Sequence, residues 1–174
     1  NDKIAAMGIV LKVNMIAQLI LTGFAFGGVP MYGYLYGAKQ QDTLKKLLRF
    51  CLLFLCGLSL VLTAFLCLAA TPLMQLFVQD SALVATGAEM LRWQAATAVF
   101  AGIILLLTVL FQATGKIVPA FLLSISRQGV LLVLCMLLFS SLFGYMGILL
   151  AQAVSDVLTG ILGFLLLRRS KILL

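Results

Sequence analysis

The sequence predicts an all-α, polytopic membrane helix bundle with about five transmembrane helices. Three observations carry that expectation: 64% of the 174 residues are hydrophobic, 10% are charged, and the apolar residues gather in runs of membrane-crossing length. A soluble domain carries roughly a quarter of its residues as charges, so a chain this poor in them turns its outer surface to lipid. The formal charge of +7 does not point to nucleic acid. The bases sit mostly at the ends of apolar runs, not on a hydrated face among aromatic and polar residues.

A membrane helix takes about 20 apolar residues at about 1.5 Å each. On that ruler the spans fall at about residues 4–36, 47–70, 81–114, 117–138 and 147–167. The first and third exceed a minimal span and are expected to tilt, kink or project. The first has an evident place to bend, with Gly23, Gly27, Gly28, Pro30 and Gly33 close together. Thr71–Phe77 is too short to cross and suits an interfacial elbow. Ala113-Thr114-Gly115-Lys116 fits a tight turn, with Pro119 early in the next helix.

Charge sets the expected orientation. Lys39, Lys45, Lys46 and Arg49 lie between the first two spans, Lys116 follows the third, and Arg168, Arg169 and Lys171 follow the fifth. Alternating spans put all of these on one side and leave Lys3 on the other, which predicts an external N-terminus and a cytoplasmic C-terminus in a bacterial plasma membrane. The chain opens Asn1-Asp2-Lys3 with neither an initiating methionine nor a signal peptide. An external start is awkward to insert without an earlier span, so the chain is expected to be part of a longer polypeptide.

Ionisable groups at bilayer depth need partners or water. Arg127 lies about 15 Å from the cytoplasmic edge of the fourth span, and Asp156 about 13–14 Å from the external edge of the fifth. Both are near mid-membrane on adjacent antiparallel helices, so a buried Arg127–Asp156 pair is expected, with Ser124, Gln128, Gln152 and Ser155 as hydrogen-bond partners. Its role is either to fix helix register or to handle a ligand or proton. Glu89 and Arg92, three residues apart, suit an ion pair at the outer interface. Lys12 is placed to snorkel outward or to point into an aqueous cleft, and Asn14, Gln18, Gln94 and Gln112 either line a cavity or join helices. Cys51, Cys56, Cys67 and Cys135 lie inside apolar runs without CxxC spacing and read as packing residues, not as a metal site or disulfide framework. No phosphate loop, metal cluster or cofactor motif is visible. The absence of histidine removes Ser-His and Cys-His catalysis, so an enzyme is not expected.

Four phrases, read in order, carry a family resemblance. Gly27-Gly28-Val29-Pro30-Met31-Tyr32-Gly33-Tyr34-Leu35-Tyr36-Gly37-Ala38-Lys39 resembles a glycine-rich run ending in proline and then a GYNYGAK-like close. Phe111–Lys116 is similar to FQAxGK, Leu123–Gln128 to LSLxRQ and Ala151–Asp156 to AQPxxD. As an ordered set they resemble the multidrug and toxic compound extrusion (MATE) family. The resemblance implies spans eight to twelve of a twelve-span, two-lobed transporter, with a further N-terminal lobe as partner. It also implies efflux of small cationic or amphipathic compounds against H⁺ or Na⁺ by alternating access. The substrate cleft would be walled by Met15, Gln18, Phe24, Phe26, Met31, Tyr32, Trp93, Gln94 and Phe100. Leu35 departs from the usual Asn. Leu134 and Ala153 stand where proline is common, which predicts straighter fourth and fifth spans. The carboxylate that some members carry in the tenth span is missing near Ala101 and Gly102. Two rivals are weighed. A lipid-linked oligosaccharide flippase would need more cations in its cavity, and a non-transporting scaffold subunit would need no glycine-rich first span.

Overall fold

In lipid no water is available to backbone N–H and C=O groups, so each long apolar run satisfies its own as a helix. The computed structural model describes residues 2–78, 80–143, 145–170 and 172, and among these it contains helices and turns but no strand. The order is α1 (Asp2–Gly27), α2 (Val29–Gly37), α3 (Gln41–Gln75), α4 (Ser81–Ala96), α5 (Ala98–Ala113), α6 (Ile117–Ile125), a π-turn (Ser126–Val130), α7 (Leu131–Phe143) and α8 (Tyr145–Arg169). Ala6–Gly37, Gln41–Gln75, Ile117–Leu142 and Leu150–Arg169 are long and apolar enough to cross a membrane. Ser81–Ala96 with Ala98–Ala113 makes a fifth crossing when the bent pair is taken as one. The chain is an all-α membrane helix bundle.

Two tight turns share one closure. After α5, the Lys116 N–H donates to the Phe111 carbonyl at 2.9 Å, with Gly115 at φ +72°. After α2, the Gln40 N–H donates to the Leu35 carbonyl at 3.0 Å, with Lys39 at φ +56°. Both satisfy orphan helix-end carbonyls by a left-handed residue, at no steric cost for Gly115 and at some cost for Lys39.

The interior falls into two clusters. One gathers Leu21, Tyr32, Leu44, Leu107, Phe111 and Leu123 near the 38–40 and 114–116 turns. The other gathers Val10, Leu66, Met74, Val84, Met90 and Leu91 near the connection from α3 to α4. Lys39, Lys116 and the Arg168–Arg169 end of α8 therefore share the end of the bundle that holds the first cluster. Between α3 and α5 the backbones approach closely, with Gly102 against the Leu55 carbonyl and Ser59.

Two local expectations are revised. The glycine-rich segment of the first span does not bend it sharply: α1 and α2 run on through Gly28 as one stretch, Ala6–Gly37. Pro30 sits at the start of α2, where its missing N–H costs little. The sharp bend, 42°, lies in the third span at Thr97. The expected elbow at Thr71–Phe77 is largely helix, since α3 continues through Pro72 to Gln75. Gln79, Gly144 and Lys171 lie outside the described residues, as does the side chain of Lys3.

Candidate functional site

The fourth span is not a regular helix where it carries its charge. The Leu131 N–H bonds the Ser126 carbonyl five residues back. This inserts one extra residue into the turn and re-aims the side chains on either side of it. Arg127 belongs to that turn. Its Nε lies 3.5 Å from Asp156 Oδ1 on α8, and its Nη2 donates to Gln18 Oε1 on α1 at 3.2 Å. Asp156 is 3% exposed, and among the described residues this is the one ion pair within 4 Å.

These groups stand at a half-open cavity of about 430 Å³ lined by Leu11, Asn14, Met15, Gln18, Thr22, Leu105, Arg127, Gln128, Leu132, Gln152 and Asp156. Seven of these 11 residues are polar, in a bundle whose exposed large side chains are mostly Leu, Ile, Val and Phe. Asn14 and Gln18 stand one turn apart on one face of α1. The Asn14 amide donates to Gln94 Oε1 at 3.3 Å, which ties α1 to α4 behind the cavity, while Asn14 Oδ1 is buried without a partner. One arginine and one aspartate leave the cavity with no net charge.

The expected partners of the pair divide. Gln128 and Gln152 line the cavity with it. Ser124 lies instead in a separate hollow of about 350 Å³ with Gln112 and Phe121. Ser155 Oγ is buried without a partner and does not bond the pair. The partner that sequence reasoning did not assign is Gln18, which lies 109 residues from Arg127 in the chain.

Of the residues expected to wall a cleft, Met15 and Gln18 line the cavity and Gln94 lies just behind it. Phe24, Phe26, Met31, Trp93 and Phe100 are exposed on the bundle surface, with the Phe24 ring 5.3 Å from that of Phe54. Tyr32 is corrected: it is 1% exposed and packs in the first core cluster, so it offers a cleft no surface. The helical turn that places it there is the one in which Gly33 meets the Ala113 carbonyl. The Glu89–Arg92 pair is also corrected. Arg92 Nε donates across to the Cys67 carbonyl on α3 at 3.3 Å, and Glu89 is exposed. A carbonyl within a helix keeps a second lone pair that a guanidinium on a packed neighbour can reach. Lys12 is exposed on α1.

Comparison with known proteins supplies the lineage. The MatE family model matches residues 1–138. The chain is 26% identical over 166 residues to the multidrug export protein MepA of Staphylococcus haemolyticus, covering 93% of this chain and 35% of that protein. It is 24% identical over 166 residues to the MepA of Staphylococcus saprophyticus, covering 95% and 36%. It is 26% identical over 170 residues to the MepA of Staphylococcus aureus strain NCTC 8325, again covering 95% and 36%. The chain thus spans about a third of the length of these relatives. No solved structure matches it. With the family model over residues 1–138 and the ordered motifs on the spans that carry Arg127 and Asp156, the chain belongs to the MatE family, the multidrug and toxic compound extrusion transporters.

Proposed function

We propose that this chain forms part of one lobe of a secondary active transporter that exports small cationic or amphipathic compounds. The observation that carries the reading is the half-open polar cavity held between apolar spans by Gln18, Arg127 and Asp156. An anchoring or scaffold subunit has no need of charge at that depth, where ionisable groups are costly and mark paths for solutes or ions. The names of the relatives, multidrug export proteins, agree with it. The neutrality of the cavity disfavours the flippase alternative, since a pyrophosphate headgroup calls for an excess of cations.

In this reading the lobe packs against a second one, and the two rock about a shared cleft to expose it to either side in turn. Met15, Phe24, Phe26, Met31, Trp93 and Phe100 supply an adaptable apolar wall, which suits varied ligands. Inward movement of H⁺ or Na⁺ drives export. Asp156 is already paired with Arg127, so the coupling carboxylate belongs to the other lobe. The basic end of the bundle faces the cytoplasm, with the N-terminus of this stretch outside. No step in this scheme makes or breaks a covalent bond.

The test is ethidium accumulation in cells expressing the full-length protein, this chain alone, or an empty vector. The full-length protein is expected to lower accumulation, and this chain alone is expected to match the vector. Efflux by the chain alone would overturn the two-lobed scheme, and none by the full-length protein would overturn the export reading.

A further inference from the structure

The first span stands apart from the fourth and fifth. Among the described residues no Cα of α1 lies within 8 Å of one in α6, the π-turn, α7 or α8, whereas α1 packs on α3, α4 and α5 and the fourth and fifth spans pack on each other. The Arg127–Gln18 hydrogen bond at 3.2 Å crosses that gap. No other described side-chain hydrogen bond or ion pair joins α1 to those two spans. Arg127 is tethered on its own side by Asp156, so letting go of Gln18 strands no charge.

One turn along the same face of α1 is a second acceptor that nothing uses. Asn14 is 8% exposed, lines the same cavity, and its Oδ1 is buried without a partner. A buried unmatched acceptor is costly and calls for an explanation. Its spacing from Gln18, four residues, is a little over one helical turn, a rise of about 6 Å. A ratchet of about one turn of one element past another is the more drastic of the shifts that packed helices make. The cavity, about 430 Å³, has room for waters to bridge the guanidinium while it moves.

We propose that Arg127 is the moving part of a two-position latch across this cavity, held by Gln18 in the arrangement described and by Asn14 Oδ1 after α1 slips one turn against the fourth and fifth spans. Gln18 and Asn14 are positioning residues. They set the balance between two shapes of the lobe and thereby the rate of export. Only that last role rests on the transporter reading.

The experiment uses the full-length protein in lipid nanodiscs, in a cysteine-free background with spin labels at Ile16 and Val133, which are both exposed. Double electron–electron resonance reads the separation of the two spans. Gln18→Met, nearly isosteric, is expected to shift the population about tenfold or more away from the arrangement described, the worth of a hydrogen bond to a charged group. Asn14→Leu is expected to shift it the opposite way. Since Asn14→Leu also breaks the bond to Gln94, Gln94→Met serves as the control that removes that bond and leaves Oδ1 in place. Shifts in opposite directions, with Gln94→Met near wild type, support the latch. Shifts in the same direction, or none, overturn it. In the dye assay both variants are expected to lower kcat several-fold. Opposite distance shifts in a protein that exports no dye would support the latch and sink the export reading alone.

Discussion

Two long spans break in opposite ways. The first has every residue known for weakening a helix, Gly23, Gly27, Gly28, Pro30 and Gly33, and it runs through Gly28 as one stretch. The third has neither glycine nor proline within four residues of its break, and it bends by 42° at Thr97. The difference lies in who claims the carbonyls. At Thr97 the backbone N–H turns to the Gln94 carbonyl at 3.2 Å, and the hydroxyl bonds the same oxygen at 2.9 Å. From α3, the Thr63 hydroxyl takes the Ala95 carbonyl at 2.8 Å. Hydroxyls that enter the ladder bend a helix. Glycine permits a bend and does not impose one.

The largest test of that contrast is at the π-turn, where a side chain is again bonded away from its own helix. Replacing Arg127 or Asp156 by alanine in the full-length protein strands a buried charge. Each is expected to cost about 3–5 kcal/mol, measured as lost folded yield and lowered thermal midpoint. The charge-swapped double variant is expected to recover part of that loss, whereas simple additivity would mean that the two share no site. Next in size, Thr97→Val and Thr63→Val each remove a hydroxyl claim on the broken turn. Each is expected to cost about 1–2 kcal/mol and to straighten the third span, read as a longer distance between spin labels at Ala82 and Gln112, which are both exposed. An unchanged distance in the double variant would return the bend to packing alone. Smallest is Pro30→Ala, expected within about 0.5 kcal/mol of wild type. A large change there would show that the proline shapes the first span after all.

The helical class and the crowding of apolar runs were legible because both follow from composition and length. Depth arithmetic along two antiparallel helices placed Arg127 and Asp156 at one level, and they lie 3.5 Å apart. What could not be read depends on neighbours remote in sequence. Gln18 meets Arg127 across 109 residues, and Thr63 reaches Ala95 across 32. Arg92 prefers the Cys67 carbonyl to Glu89 because α3 packs beside it, which no local spacing announces. The aromatic type of Tyr32 suits a cleft, but the side chain is buried. Its burial is decided by the close approach of Gly33 to the end of α5.

The break at Thr97 also falls between the two core clusters. Val84, Met90 and Leu91 of α4 belong to one cluster, and Leu106, Leu107, Val109, Leu110 and Phe111 of α5 to the other. The other long helices do not break there: α1 gives Val10 to one cluster and Leu21 to the other, and α3 gives Leu66 and Leu44. A swing about Thr97 therefore has to carry α1 and α3 with it. In hydrogen-exchange terms these two continuous helices couple the ends of the bundle, so that loosening the core around Met90 also lowers the protection of amides around Leu107.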